Sequence, residues 1–212
     1  MDILGIAISI AYIFFIILIS SLISKKHSEL SRKVVHIGVC NWWIIVILFF
    51  NNMLLTCIVP GLFCIINFIS YKKDIFKSME RDDKKSLGTV YYAISCLVLT
   101  ILSFLWFKNR LYAGIGLFAM GYGDGFAALV GTKLKSKKFI IFGNEKTVLG
   151  SITMFIASFL AISIIALCFN HFSILGILIV SAVATLIEAV SPFGLDNITV
   201  PILTSILAYF VI

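Results

Sequence analysis

Long apolar blocks alternate with short polar segments along this chain of 212 residues. Most of the apolar blocks have about the 20 residues with which an α-helix crosses a bilayer. We predict membrane-spanning helices over residues 3–23, 34–50, 53–70, 87–107, 111–125 and 149–169, then one that ends near Glu188 and a shorter one over residues 198–212. The pattern predicts an all-α, polytopic transmembrane helix bundle with seven to eight spans. No polar segment is long enough for a soluble domain, so residues 1–212 are expected to form a single integral membrane domain.

The composition supports a membrane protein. Hydrophobic residues make up 61% of the chain and charged residues 13%, and the mean hydropathy is +1.11. An ordinary soluble domain has about 25% charged residues. The net charge of +7 comes from Lys and Arg in the connections between the apolar blocks. This placement predicts the lipid bilayer as a partner and no nucleic acid, and it sets no oligomeric state.

The basic residues also predict an orientation. With eight spans, the connections on one side carry 15 of the 17 Lys and Arg residues, and those on the other side carry two. Connections rich in Lys and Arg stay preferentially in the cytoplasm. The basic side is therefore predicted to be cytoplasmic, with both termini on the opposite side.

The segment over residues 119–151 contains the most unusual polar residues. Asp124 stands within an apolar block, where a carboxylate is costly unless it faces a cavity, a cation or a partner. The glycines around it, Gly121, Gly123 and Gly125, weaken a helix and permit close approach of the backbone to a ligand. Five lysines follow before the next apolar block. An acid for a metal ion and lysines for phosphates predict a metal–nucleotide site at the membrane surface, and a solvent-exposed acid at a helix end is the simpler alternative.

The start of the sixth span resembles an anion-binding helix N-terminus. Lys146 and Thr147 precede Gly150 and Ser151, and the free N–H groups of a first helical turn attract phosphate. The full GxxxxGK[ST] pattern is absent, which excludes a P-loop nucleotidase. A helix that is merely capped beside loop lysines is the alternative.

Arg32, Lys33 and His36 open the second span. Arg32 and His36 are four residues apart and share one helix face, which suits the binding of phosphate or of a lipid headgroup. The alternative is an ordinary basic flank, although a flank does not need a histidine at the apolar border.

Two acids border the last connection, where Glu188 ends one helix and Asp196 precedes the next. An acid at a helix C-terminus opposes the helix dipole and requires a compensating cation. Because this connection contains no Lys or Arg, a metal ion is the predicted cation. Another acidic pair, Asp82 and Asp83, lies among lysines and is expected to be a solvated charge pair.

The polar segments share one side of the predicted bundle. SRKVVH, DDKKSLGTVY, GYGDGFAALVG, NEKTVLGS and EAVSPFGLDN all fall at the predicted cytoplasmic ends of helices. Convergence of five separate segments on one side predicts a single site built between the helices. A transport pathway would more naturally place polar residues through the middle of the bilayer.

In their order along the chain, these segments resemble the polyprenol kinase family, which includes phytol kinases, dolichol kinases and CTP-dependent diacylglycerol kinases. The resemblance spans residues 32–201. It rests on RKxxH from Arg32, LGTVYY from Leu87, GDGFAALVG from Gly123, KTxxGS from Lys146, and E…SPxGLDNxTxP from Glu188. It implies transfer of the γ-phosphate of a nucleoside triphosphate, commonly CTP, to a membrane alcohol of the phytol, polyprenol or dolichol type or to diacylglycerol.

Phosphoryl transfer needs metal ligands, cations and an aligned hydroxyl, and on this resemblance we assign roles to individual residues. Asp124 would bind Mg²⁺ with Glu188 or Asp196 as a further ligand, and His36 would accept the proton of the acceptor hydroxyl. The expected phosphate-binding set is Arg32, Lys33, Gly123, Gly131, Lys146, Thr147 and Ser151. The alcohol is expected to reach the site sideways between helices. Leu149 departs from the family pattern, since members often have an acid there; if that acid helps to bind the metal ion, another residue must replace it here.

Two alternatives stay open at this point. A phosphatidate cytidylyltransferase, which makes CDP-lipid, has a similar polarity pattern, but its long acidic and glycine-rich C-terminal signature is missing. A transporter or non-catalytic membrane subunit would have acids at the bilayer midplane on several helices, and this sequence has none there. The sequence distinguishes neither CTP from ATP nor one lipid alcohol from another.

Overall fold

The structure, a computed structural model, describes residues 1–24, 28–73, 87–142 and 144–212. Within these residues the chain is helical apart from one two-stranded sheet and short connections. The expectation for Asp82 and Asp83 lies outside the described residues, as do most of the basic residues of that connection.

The described residues form nine α-helices, one π-helix and two strands. Their bounds are α1 Asp2–Ser24, α2 Ser28–Phe49, α3 Met53–Lys73, α4 Gly88–Leu105, α5 Arg110–Phe118, a π-helix Ala119–Asp124, α6 Gly125–Lys133, β1 Lys138–Ile141, β2 Asn144–Thr147, α7 Val148–Cys168, α8 Ile174–Val190 and α9 Asp196–Val211. The π-helix joins α5 to α6, so residues 110–133 form one continuous helical segment.

The predicted fold class is confirmed as an all-α, polytopic membrane bundle. Among the described residues, six helical segments are long and apolar enough to cross a membrane: α1, α2, α3, α4, residues 110–133, and α7. The last two helices, α8 and α9, are apolar but shorter, at 17 and 16 residues. At 1.5 Å per residue they measure about 25 Å, slightly less than the ~30 Å hydrocarbon core.

The start of the second helix was predicted wrongly. It begins at Ser28 and not at residue 34, because hydropathy detects only the apolar part of a helix. Its polar first turns pack on α1, where Ser20 Oγ and Ser31 Oγ are 2.7 Å apart and buried. The helix α2 therefore already contains Arg32, Lys33 and His36.

The connection after α6 was predicted as a basic loop, and this was wrong for residues 138–141 and 144–147. These residues form the two strands of an antiparallel hairpin in which Phe139 pairs with Lys146. Lys138 Nζ lies 2.6 Å from Oε1 of Glu145, which is on the partner strand and on the same face of the hairpin. The strands are four residues each, too short to stand out among the lysines. The hairpin fixes Lys146 on β2, directly before α7.

Residues 110–133 form the most buried of the six long segments, and their glycines explain how neighbouring helices approach them. A Cβ on Gly121 would lie 2.4 Å from Cys40, and one on Gly125 would lie 2.6 Å from Ile37, both on α2. A Cβ on Gly123 would lie 2.3 Å from Ser158 Oγ on α7. The expectation that these glycines leave room for a ligand is corrected, because they make room for helices.

Candidate active site

The π-helix places Asp124 at the end of the bundle that carries the lysines. A π-helical turn changes the register of a helix and often occurs at functional sites. Asp124 is its last residue and is buried. Its Oδ2 accepts a hydrogen bond from Lys33 Nζ at 2.6 Å and lies 3.3 Å from His36 Nε2. Lys33 and His36 are three residues apart on α2, so they share the helix face that meets Asp124.

Tyr92 of α4 supports His36. The two rings stack with their centroids 4.6 Å apart, and the Tyr92 hydroxyl donates to the His36 carbonyl at 3.2 Å. Nε2 is buried and has no hydrogen-bond partner among the described residues. In a neutral imidazole with its proton on Nδ1, the Nε2 lone pair can accept a proton.

A second ion pair lies next to the first. Lys146 Nζ on β2 donates to Glu188 Oε1 at the end of α8. Burial disfavours the charged ammonium, but the adjacent Glu188 carboxylate outweighs this and holds the pKa of Lys146 above its ordinary value. Lys146 is thus charged at neutral pH. The sequence predicted a compensating cation for Glu188 and suggested a metal ion, and in the structure Lys146 of the hairpin lies there.

Three carboxylates from three helical segments converge at these ion pairs. One oxygen each of Asp124, Glu188 and Asp196 lies within 4.8 Å of the other two. Oxygen-only ligands in such a cluster suit a hard divalent cation such as Mg²⁺. Leu149 does not line the cavity that contains this cluster, and its N–H donates to Ser136 Oγ at 3.0 Å.

The start of α7 is a capped helix N-terminus that opens into the same region. Thr147 Oγ accepts a hydrogen bond from Gly150 N at 3.0 Å. A Cβ on Gly131 of α6 would lie 2.8 Å from Thr147 Oγ, so this glycine lets α6 approach the cap. Thr147, Gly131 and Ser151 line the cavity, whereas Gly123 faces α7 and does not. The N–H groups of Val148, Leu149 and Gly150 donate to the Lys137 carbonyl, Ser136 Oγ and Thr147 Oγ, so the first turn is capped within the chain, as the alternative interpretation expected.

The charged residues described above line one cavity of about 1250 Å³. Each of the five polar segments contributes to its wall, as shown by Arg32, Thr89, Asp124, Lys146 and Asp196. The wall combines the charged and polar residues of these segments with apolar residues of α1, α2, α3 and α4. This arrangement lacks the midplane acids on several helices that a transporter would require, within the described residues.

The sequence did not reveal the roles of Tyr92, Asn67 and Thr89. Tyr92 supports His36, and Asn67 Nδ2 of α3 donates to the Thr89 carbonyl at 3.1 Å, which joins α3 to the first turn of α4. The only signal was that Thr89 and Tyr92 belong to the LGTVYY segment. Their partners lie on other helices, so no local pattern identifies these contacts.

Comparison with known proteins gives several similar chains. The chain is 29% identical over 219 residues to a phytol kinase of Synechocystis sp., which covers 97% of this chain and 91% of that protein. It is 32% identical over 212 residues to a probable chloroplastic phytol kinase of Triticum aestivum, with 85% and 67% of the two chains covered. It is also 32% identical to probable chloroplastic phytol kinase 1 of Oryza sativa subsp. japonica, with 85% and 64% covered. No family model and no solved structure matches the chain.

Proposed function

The chain belongs to the phytol kinase family, and on this premise we propose that it transfers the γ-phosphate of a nucleoside triphosphate to the hydroxyl of an isoprenoid alcohol in the membrane. We further propose CTP as the donor, as the motif resemblance implies. The relatives are named as phytol kinases, which supports a lipid-alcohol kinase of this kind.

The observation that carries the proposal is that a charged site and an apolar groove share one cavity. The charged end holds three carboxylates, two buried ion pairs and the N-terminus of α7. The apolar part lies between α1, α2, α3 and α4. A reaction between a charged nucleotide and an alcohol with a hydrocarbon chain requires such a pair of environments side by side.

We assign the donor phosphates to the charged end. Lys33 and Lys146 supply positive charge, with Arg32 in the cavity wall beside them. The hydroxyl groups of Thr147 and Ser151, both in the cavity wall, supply hydrogen-bond donors. The cluster of Asp124, Glu188 and Asp196 would hold Mg²⁺, which neutralises phosphate charge during transfer.

We assign the acceptor hydroxyl to the neighbourhood of His36. Its Nε2 takes the hydroxyl proton as the alcohol oxygen bonds to the γ-phosphorus, while the bond from that phosphorus to the nucleoside diphosphate breaks with its electron pair. The stack on Tyr92 holds the ring in place. Asp124, 3.3 Å from Nε2, stabilises the imidazolium that forms. Proton transfer by a positioned side chain contributes about 10²- to 10⁴-fold to a rate.

A transfer assay on the purified protein tests this proposal. CTP and ATP, each labelled in the γ-phosphate, are offered with Mg²⁺ and with phytol, geranylgeraniol, a long polyprenol or diacylglycerol. We expect label in an isoprenyl phosphate, with CTP as the better donor. No labelled lipid from any combination contradicts the proposal. Formation of CDP-lipid from phosphatidate and CTP labelled in the α-phosphate would establish a cytidylyltransferase instead.

We also propose that the basic end of the bundle faces the cytoplasm, on the basis of the 15-to-2 distribution of Lys and Arg. Lys135 and His171 are both exposed and lie in connections at opposite ends of α7. In a background without the five native cysteines, we expect an impermeant maleimide to label His171→Cys in intact cells. Lys135→Cys should react only after permeabilisation. Labelling of Lys135→Cys from outside would reverse the orientation.

A further inference from the structure

Beneath the charged end, the cavity continues as an apolar groove between the first four helices. Its wall lies on α1, α2, α3 and α4 and contains no acid or base among the described residues below His36. The wall of the groove includes Ile10, Phe14, Ile17, Trp42, Leu62 and Ile66. No residue of α8 or α9 outside the charged end contributes.

The groove is closed at its inner end. Trp42 is 2% exposed there, and its Nε1 donates to Ser9 Oγ of α1 at 2.9 Å. One turn further from the charged end, Val46 of α2 and Leu99 of α4 are fully buried. The cavity therefore ends inside the bundle, which suits the binding of a molecule and not its passage through the membrane.

The groove is open at its side. Phe14 of α1 is 65% exposed and Leu62 of α3 is 46% exposed, although both line the groove. Ile66, one turn along α3, is similarly exposed and also lines it. Both helices are membrane-spanning in length and apolarity, so the gap between them faces hydrocarbon.

The depth of the groove sets how much of a chain it holds. From Ile17 to Ile10 the wall on α1 spans seven residues, or about 10 Å at 1.5 Å per residue. An extended chain advances about 1.2 Å per bond, as an extended peptide covers about 3.5 Å in three bonds. The groove therefore takes about eight bonds, or roughly two isoprene units, and reaches about a third of the way into the hydrocarbon core.

We propose that this groove is the binding site for the hydrocarbon chain of a single-chain isoprenoid alcohol, which enters from the bilayer through the gap between α1 and α3. The roughly two units next to the hydroxyl lie inside the protein, and any further units continue through the gap into lipid. This inference rests on the proposed function and adds to it the location and direction of the acceptor.

Photo-crosslinking locates the chain directly. In lipid nanodiscs with Mg²⁺, an isoprenoid alcohol with a diazirine in its second isoprene unit is irradiated, and the adducts are mapped by mass spectrometry. We expect adducts at Phe14, Leu62 and Ile66, and excess unlabelled alcohol should suppress them. Leu186 of α8 is also 65% exposed but lies outside the cavity wall, so any adducts there should not be suppressed.

A filled groove tests the same site by function. Ile66→Trp places a bulky ring in the groove from an exposed position. Because an overpacked space no longer accepts its ligand without strain, we expect kcat/KM for the alcohol to fall by about tenfold or more through a higher KM. The rise in thermal midpoint caused by Mg²⁺–CTP should stay at the wild-type value. Leu186→Trp adds the same ring to the lipid-facing surface and should change neither quantity.

The outcomes separate this inference from the proposed function. Suppressible adducts confined to helices other than α1 and α3, or wild-type kcat/KM in Ile66→Trp, would overturn the groove assignment while transfer itself remained. If the wild-type protein phosphorylates no lipid alcohol, the proposed function fails. Suppressible adducts on α1 and α3 would even then support binding of the alcohol in the groove.

Discussion

Asp124→Asn is expected to lower phosphoryl transfer by about 10³-fold or more, because charge stabilisation by a metal ion is worth several kcal/mol and about 1.4 kcal/mol corresponds to tenfold in rate. The amide keeps the shape of the side chain but loses the charge that both Mg²⁺ and Lys33 require. Transfer is measured with γ-labelled CTP. Lys137→Met, a substitution of an exposed lysine of the same connection outside the cavity wall, should remain near wild type.

Asp124→Asn is also expected to destabilise the protein, although burial of the side chain alone would predict the opposite. A neutral amide is cheaper than a carboxylate at the hydrocarbon border, but the carboxylate here neutralises Lys33 at 2.6 Å. Removing one partner of a buried ion pair costs about 3–5 kcal/mol. Asp124→Asn should therefore lower the thermal midpoint, and the double variant Asp124→Asn/Lys33→Met should recover much of it without recovering transfer.

These measurements separate chemistry from folding. If the double variant regains both stability and transfer, Asp124 serves only as a counter-ion for Lys33. If Asp124→Asn alone keeps more than about a tenth of wild-type transfer, a loss below ~1.4 kcal/mol, Asp124 is not a metal ligand. The metal site would then have to be built on Glu188 and Asp196.

His36→Phe is expected to lower transfer by about 10²- to 10⁴-fold, the usual contribution of a positioned proton acceptor. Phenylalanine can still stack on Tyr92, 4.6 Å away in the wild-type protein, but it has no Nε2. Binding of Mg²⁺–CTP should persist, because His36 contributes no charge to the phosphate site when neutral. The rise in thermal midpoint with Mg²⁺–CTP measures that binding, since a ligand stabilises the state it binds.

Tyr92→Phe is the matched control for the stack. It keeps the paired rings and removes only the hydroxyl that donates to the His36 carbonyl at 3.2 Å. We expect transfer within about tenfold of wild type, as the loss of one neutral hydrogen bond costs about 1 kcal/mol. Equal losses in His36→Phe and Tyr92→Phe would show that His36 acts through packing and would remove it as the proton acceptor.

The positions of the helices could be read from hydropathy, because a segment in hydrocarbon must satisfy its backbone hydrogen bonds internally. The third span was predicted over residues 53–70 and is observed as Met53–Lys73. The errors lie at polar ends. Ser28 to Lys33 extend α2 without an apolar signal, and residues 138–141 pair with residues 144–147 as strands.

The candidate site was predictable in part. The three acids assigned to a metal ion do lie together, with one oxygen of each within 4.8 Å of the others. Gly123 was included among the phosphate-binding residues, but it packs against α7. Tyr92 was assigned no role, but it supports His36. A sequence motif shows that a residue is unusual in its segment. Which residue it contacts in the fold depends on the helix face that it occupies.

The sequence by itself determined the membrane class, the helical architecture and the grouping of polar segments at one end, because each follows from the local cost of placing polar groups in hydrocarbon. Tertiary structure alone decided the partners. Lys33 pairs with Asp124 across 91 positions, and Lys146 pairs with Glu188 across 42. It also decided that the groove opens between α1 and α3 and ends at Trp42. These features depend on the rotation of each helix against its neighbours, which close packing fixes and hydropathy does not record.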